Sequence, residues 1–448
     1  MCVRRVLIPI AAVVVALTGA ATVQAQILDG ATPPIELNFS TPGARSLGMG
    51  GAFIGLADDA TAAYANPAGL TILRSPEVSL EGRMWDYTAT FPDSGHFDGS
   101  ATGSGIDTVD GLVNGTSSES VTGLSFLSYV RAGEGWAFAL YGHKLANFQS
   151  KFRTQGPFVG EGDTLGRLFP VDGRMDLEVQ NYGASLAFTV SENFSIGVGA
   201  SYYDFSFDAR TDRYDFIADP FGPADYSSSN LFASQVANGS GSDWGFNVGF
   251  LWRATEKFQL GGVYRDGPSF DFSYRGTCGP SDPDYCSTEG NEFTTSGKLH
   301  VPTVYGLGIA IKPSDALTVT VDWDHVAYSD LEKGFAYVPS IGDAGELQNF
   351  SVSDGDEYHI GLEYGFINLT SPLLLRAGAW LDPAHATTYS GSLPVFQALW
   401  SAANSANDQW HYTGGLGFVL AQGKFQIDLA ADVSDRVDTY SLSGVYRF

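Results

Sequence analysis

Beyond its first residues, the sequence has no hydrophobic run long enough for a spanning helix, which needs about 20 apolar residues. It is also poor in basic residues. Lys and Arg number 24 against 50 Asp and Glu, giving a formal charge of −26. A phosphate backbone rewards Lys and Arg, so a nucleic-acid partner is excluded. Such acidity can mark disorder, but 13% aromatic and 44% hydrophobic residues are too many for an unfolded chain. Histidine is scarce and scattered, with seven residues, and neither Gly-x-Ser-x-Gly nor His-Glu-x-x-His occurs. A hydrolase needs its nucleophile beside a base, and nothing marks such a pair. No enzyme activity, cofactor or metal site is expected. Of three cysteines, Cys278 and Cys286 bracket "GPSDPDY". Outside the cytoplasm that spacing favours a disulfide tying off a loop. A metal site would want further thiolate or imidazole ligands.

What is present points to export and β structure. Arg4 and Arg5 precede an apolar stretch, Val6 to Leu17, and small residues at Val23-Gln24-Ala25. Residues 1–25 therefore have the form of a signal peptide. Several later segments alternate cleanly between apolar and small or polar residues. In "WGFNVGFLWR", Trp244, Phe246, Val248, Phe250 and Trp252 share one face. "YHIGLEYGF" and "FQIDLAADVS" repeat the pattern. The second face is rich in Gly and Ser with sparse charge, which suits a barrel lumen better than the solvent face of a sandwich.

Strands are predicted at 77–89, 122–131, 136–150, 175–190, 194–210, 242–254, 258–275, 293–312, 317–332, 356–367, 372–382, 409–421, 425–434 and 438–448. Tight turns such as "SEN" and "TEK" alternate with long Gly/Asp/Ser/Pro loops. Short inner turns and long outer loops are the asymmetry of outer-membrane barrels. The fold class is thus all-β, a transmembrane antiparallel barrel of about 14 strands spanning residues 77–448. Tyr446 and the terminal Phe448 close an alternating last strand, similar to a barrel assembly signal. The expected partners are outer-membrane lipid, lipopolysaccharide and the barrel assembly machinery, around a monomer.

Residues 26–76 lack this alternation. "GMGGAF" lacks the strand and the third-glycine spacing of a dinucleotide loop. Its glycines allow close backbone approach and positive φ. Asp58 or Asp59 is placed to cap a short helix through "ATAAYA", and Pro67 forces Asn66 out of helical conformation. A compact lumenal plug with short helices is predicted.

"GARSLGMGGAFIGLADDATAAYANPAGL" resembles the amino-terminal signature of the FadL/TodX family of outer-membrane transporters for long-chain fatty acids and other hydrophobic compounds. The resemblance implies a hatch inside a 14-stranded barrel, with Gly48, Gly50, Gly51, Asn66, Pro67 and Ala68 in its gating segment. It also implies a distortion in the barrel wall, for which Gly142 in the third strand is the candidate. A related signature occurs in PorV-type barrels of the type IX secretion system, so a partner role for secreted proteins is the alternative function. In the loops, Phe169, Phe216 and Phe221 are candidate ligand contacts. Arg376, Arg265 and Arg253 face inward and can pair either with a ligand carboxylate or with neighbours such as Glu363. The acidic run "SDGDE" does not have calcium-loop spacing and reads as a solvated charge run.

Overall fold

The computed structural model describes residues 41–281, 293–333, 349–392, Gln397 and 407–448. The predicted signal peptide, residues 26–40 and Cys286 lie outside the described residues. Cys278 is disulfide-bonded.

Fourteen antiparallel strands close into a barrel. They are β1 (Glu77–His96), β2 (Gly111–Gly133), β3 (Trp136–Thr154), β4 (Val171–Ser191), β5 (Phe194–Tyr214), β6 (Leu231–Thr255), β7 (Phe258–Arg265 and Ser269–Cys278), β8 (Phe293–His300 and Val304–Ser314), β9 (Leu317–Val326), β10 (Gly355–Phe366), β11 (Leu373–Asp382), β12 (Gln409–Leu420), β13 (Phe425–Val433) and β14 (Val437–Arg447). The ladder closes between β1 and β14, from Glu77 opposite Arg447 to Tyr87 opposite Val437. β7 and β8 are interrupted side by side, at 266–268 and 301–303. Each break holds a proline, which cannot donate to a ladder. The Val301 N–H still donates to the Pro268 carbonyl across the break (2.9 Å).

Alternation places the apolar residues as predicted. Trp244, Phe246, Val248 and Trp252 face outward, as do Tyr358, Ile360, Leu362, Tyr364 and Phe366. Aromatic rings mark both rims of this belt, with Tyr202, Trp244, Tyr305 and Tyr412 on one and Trp136, Phe425, Tyr446 and Phe448 on the other. Rings suit the headgroup level because they are amphipathic. Four strand boundaries differ from the prediction by more than five residues, one being the end of β1, which runs on to His96. β2 begins at Gly111 and β6 at Leu231, each about ten residues before the predicted start. These extensions are rich in Gly, Ser, Thr and Asn and stand beyond the apolar belt, so no apolar outward face announces them. β9 ends at Val326, and Tyr328–Glu332 is a 3-10 turn.

Residues 41–76 pack inside the barrel. They comprise α1 (Ala44–Leu47), α2 (Ala62–Ala65) and a 3-10 helix (Pro67–Ile72). Thr61 is the N-cap of α2, and Asp59 holds it by accepting from its N–H (2.9 Å) and hydroxyl (2.6 Å). Asp58 pairs with Arg45 instead of capping. Asn66 is extended, at φ −156°, as its proline neighbour requires. Small residues let this segment lie on the wall. Gly50 has φ +65°, and a Cβ there would sit 2.8 Å from the Ile360 carbonyl oxygen and 2.9 Å from that of Ala379. Gly50→Val is therefore expected to destabilise the fold by about 1–3 kcal/mol. Urea unfolding in detergent micelles, followed by tryptophan fluorescence, would show it, and an unmoved midpoint would contradict this packing.

Candidate functional site

An irregular segment inside a lumen has backbone groups that no ladder satisfies. Here wall side chains serve them. Asp322 accepts from Ile54 N–H (2.6 Å) and Thr413 from Gly50 N–H (2.9 Å). His359 donates from Nδ1 to the Gly50 carbonyl (2.7 Å), and Ser185 donates to the Ala63 carbonyl (2.7 Å). Asn247 donates to the Tyr64 carbonyl (3.0 Å), and Glu81 accepts from Gly43 N–H (2.8 Å). Asn66 is a rivet in the other direction. Its amide donates to the Ile54 carbonyl (2.9 Å) and to the Phe250 carbonyl in β6 (3.0 Å), while its oxygen accepts from Ala68 N–H (3.3 Å). Gly249 and Gly261 leave the room it needs: a Cβ on either would lie within 3 Å of the Asn66 side chain.

Charge locks the same segment at α1. Arg45 forks onto Glu363 (2.9 and 3.0 Å) and reaches Asp58 (2.5 Å). Glu363 also accepts from Arg376 (2.7 Å), which reaches Asp428 (2.7 Å). Burial alone would lower the Arg45 pKa, but Asp58 and Glu363 outweigh it and hold the guanidinium firmly charged. Burial pushes the Asp59 carboxyl upward, against the pull of Arg45 and Thr61.

The other predicted residues fall as follows. Gly48 packs against Gly415, and Gly51 lies beside His359. Pro67 and Ala68 open the 3-10 helix, fully buried. Arg376 has its Nε and Nη1 committed to carboxylates, and Arg253 donates to the Glu192 carbonyl at a tight turn. Arg265 is different. Its Nη2 makes only a long contact to Asp324 (3.5 Å), its Nε and Nη1 have no partner, and it lies over the Tyr64 ring at 5.4 Å. Phe169 stacks on Phe232 (4.7 Å) and meets Phe216 edge-on (5.3 Å); Phe221 stacks on Phe158 (5.5 Å). Arg167, which sequence reasoning missed, sits among these rings and donates to the carbonyls of Gln155, Pro220 and Gly222. Burial lowers its pKa to about 10.

Above the N-terminal segment the lumen is apolar. Trp85, Tyr87, Phe126, Phe148, Phe205 and Phe270 belong to one buried cluster with Tyr64 at its floor. This apolar cluster had a sequence signal. In β5 the outward residues change from Ile196, Val198 and Tyr202 to Asp204, Ser206 and Asp208, while Tyr203, Phe205 and Phe207 turn inward. β4 and the second part of β7 do the same, with Leu177 and Val179, and with Phe270 and Phe272, inside. The barrel turns inside out where it leaves the bilayer.

The β2–β3 ladder stops at the same level, although Lys151 of β3 still pairs with Glu119 of β2 further out (3.3 Å). β2 and β3 pair from Gly133 opposite Trp136 to Phe126 opposite His143, and no ladder pair joins them further out among the described residues. β3 stays paired with β4 but shifts register between Lys144 and Ala146. Gly142 is regular and one pair below the end of the β2 ladder, so the distortion begins two residues after it. The last rung runs Phe126–His143–Asn181–Tyr203, the rung at which β5 changes polarity. His143 Nδ1 and both Asn181 amide atoms there have no partner.

A closed antiparallel barrel with an apolar belt, a buried N-terminal segment and a cluster of inward-facing apolar side chains has the build of an outer-membrane transport barrel. The profile of the outer membrane protein transport protein family (OMPP1/FadL/TodX) matches residues 36–430, and the chain belongs to that family. It is an outer-membrane protein of a family that transports hydrophobic compounds. Solved structures similar to it include a Pseudomonas aeruginosa FadL homologue, at TM-score 0.61 and 15% identity over 93% of this chain and 100% of that one. The Pseudomonas putida toluene transporter TodX matches at TM-score 0.56 and 14% identity, over 92% and 99% of the two chains. The Ralstonia pickettii toluene transporter TbuX matches at 0.53 and 15%, over 92% and 100%. No curated protein matches the sequence significantly.

Arg45→Ala would leave Glu363 and Asp58 short of a buried counter-charge, a loss of about 3–5 kcal/mol when one partner of a buried pair is removed. Faster hydrogen exchange is expected at amides between Gly43 and Ala65, with the strand amides unchanged. Equal protection in variant and wild type would show that the charge network does not hold this segment.

Proposed function

We propose that the protein takes up hydrophobic compounds, long-chain fatty acids among them, and releases them sideways into the outer leaflet. Capture occurs among the outer loops around Phe169, Phe216 and Phe221. The ligand then enters the aromatic chamber and leaves between β2 and β3. Residues 41–76 act as a hatch that shuts the lumen below, with Gly48, Gly50, Gly51, Asn66, Pro67 and Ala68 at its contacts with the wall. The observation that carries this reading is the shared rung: the apolar chamber begins where the β2–β3 ladder stops. Below that rung the lumen is filled by residues 41–76, so an apolar molecule finds room and favourable surroundings only at or above the end of the ladder.

The energetics favour capture without an energy source. Each methylene moved out of water contributes about 0.8 kcal/mol, so a long acyl chain partitions into the chamber from dilute solution. The free Nε and Nη1 of Arg265 and the unpartnered amide of Asn181 favour ligands with a carboxylate or another acceptor at one end. Toluene transporters among the similar structures extend the candidate class to aromatic hydrocarbons.

The test bridges the gap. Gly123→Cys and Asn147→Cys, joined by a short bis-maleimide in cells lacking their own fatty acid transporter, are expected to reduce labelled oleate uptake to background. Unbridged cells and those with either single cysteine should retain it, and leakage of a small sugar should stay low throughout. Undiminished uptake after bridging would place the exit elsewhere. No uptake of oleate or toluene by a correctly inserted wild-type barrel would overturn the transport reading in favour of a secretion partner.

A further inference from the structure

Three buried lumenal side chains converge at the rim of the hatch. Asp324 projects from β9, and Glu357 and His359 project from β10. A carboxylate oxygen of each acid and one imidazole nitrogen all lie within 4.8 Å of one another. His359 Nε2 is 3.3 Å from Glu357 Oε2 and 3.8 Å from Asp324 Oδ2.

The remaining polar atom of each side chain is already held. His359 donates from Nδ1 to the Gly50 carbonyl (2.7 Å), which leaves Nε2 turned toward the two acids. Glu357 Oε1 accepts from the Tyr328 hydroxyl (2.7 Å), leaving Oε2 turned inward. Arg265 approaches Asp324 Oδ1 (3.5 Å), leaving Oδ2. Trp380 stacks on the His359 ring at 5.3 Å and fixes its plane. This is how metal sites orient their ligands: a second group on the far atom of each sets its tautomer and direction. Donor atoms around a four-coordinate zinc, with bonds of about 2.0–2.2 Å, lie about 3.3–3.6 Å apart. The observed 3.3 and 3.8 Å require little closure.

We propose that Asp324, Glu357 and His359 bind one divalent transition-metal ion, with zinc the best match to one imidazole and two carboxylates. Through His359 Nδ1 the ion would brace the Gly50 carbonyl, tying the hatch to β10. The site lies on the wall opposite the β2–β3 gap and does not depend on the route proposed for the ligand.

The test is titration of the purified, metal-stripped full-length barrel in detergent with ZnCl2 and, separately, CoCl2. One equivalent of zinc should bind, and cobalt should give the visible absorption of four- or five-coordinate ion, a signature that needs no variant. Folding of each variant is checked by its heat-modifiable gel mobility. Glu357→Gln and Asp324→Asn should abolish stoichiometric binding. Tyr328→Phe, which keeps the ring and removes the hydroxyl that donates to the far oxygen of Glu357, should weaken it about 10–100-fold. Zinc should also slow hydrogen exchange at Gly50 and Gly51 in the wild type. The absence of one-to-one binding by the folded wild type would mean that His359 merely forms an ion pair with its two acids, and would overturn the proposal. A six-coordinate cobalt spectrum, or binding unchanged in folded Glu357→Gln and Asp324→Asn, would do the same.

Discussion

Backbone that enters a dry lumen without regular structure must find a partner for every buried N–H and carbonyl group. That demand shapes residues 41–76 and the wall around them. The segment is built of Gly and Ala because only small residues bring its backbone within reach of wall side chains. The wall answers with single polar groups at matched heights: Asp322 for Ile54, Thr413 and His359 for Gly50, and Ser185 and Asn247 for α2. Lumenal glycines on the strands serve the same constraint from the other side, as Gly249 and Gly261 do for Asn66. The Gly/Ser bias of the inner face thus reflects a tight fit between segment and wall.

Charge works at a second level of the same problem. Arg45, Glu363, Arg376 and Asp428 alternate in sign across α1, β10, β11 and β13. Buried ions are costly unless each is met by its opposite. A chain of alternating sign meets that condition and gives the segment one preferred seat. Arg265 stands outside the chain, with two donors unspent, and it faces the floor of the chamber.

Much of this was legible in the sequence, and the reason is period 2. Where a strand crosses lipid, its outward residues must be apolar, so β10 and β13 were read to within a residue or two of their observed bounds. The short helix before Asn66-Pro67 followed from local rules, although Thr61 rather than an aspartate is its cap. The outer halves of β2 and β6 escaped because they face water, which imposes no such rule. The early end of the β2–β3 ladder escaped for a different reason. Gly142 resembles many other glycines, and the end of the ladder depends on how β3 follows β4 rather than β2, a long-range choice with no local mark. Asn181 was equally hidden, and Arg265, read as inward-facing, gave no sign of its place over Tyr64, since convergence across strands is set by register and not by spacing along the chain. The loop aromatics were recognisable as too apolar for solvent, but their mutual stacking around Arg167 needed the fold.

The inversion of polarity in β4, β5 and β7 has a mechanical consequence. Twelve residues of β5 lie beyond Tyr202, and at about 3.3 Å per residue with the tilt of a barrel strand they rise roughly 30 Å above the belt. The projecting part is a tube with a greasy core, standing clear of the belt. Its apolar inner face begins at the level where the β2–β3 ladder ends. On the route proposed above it would serve as a wick, carrying a molecule that wets its interior into the leaflet without a return to water. A wick of that kind would draw only toward the end poorer in solute.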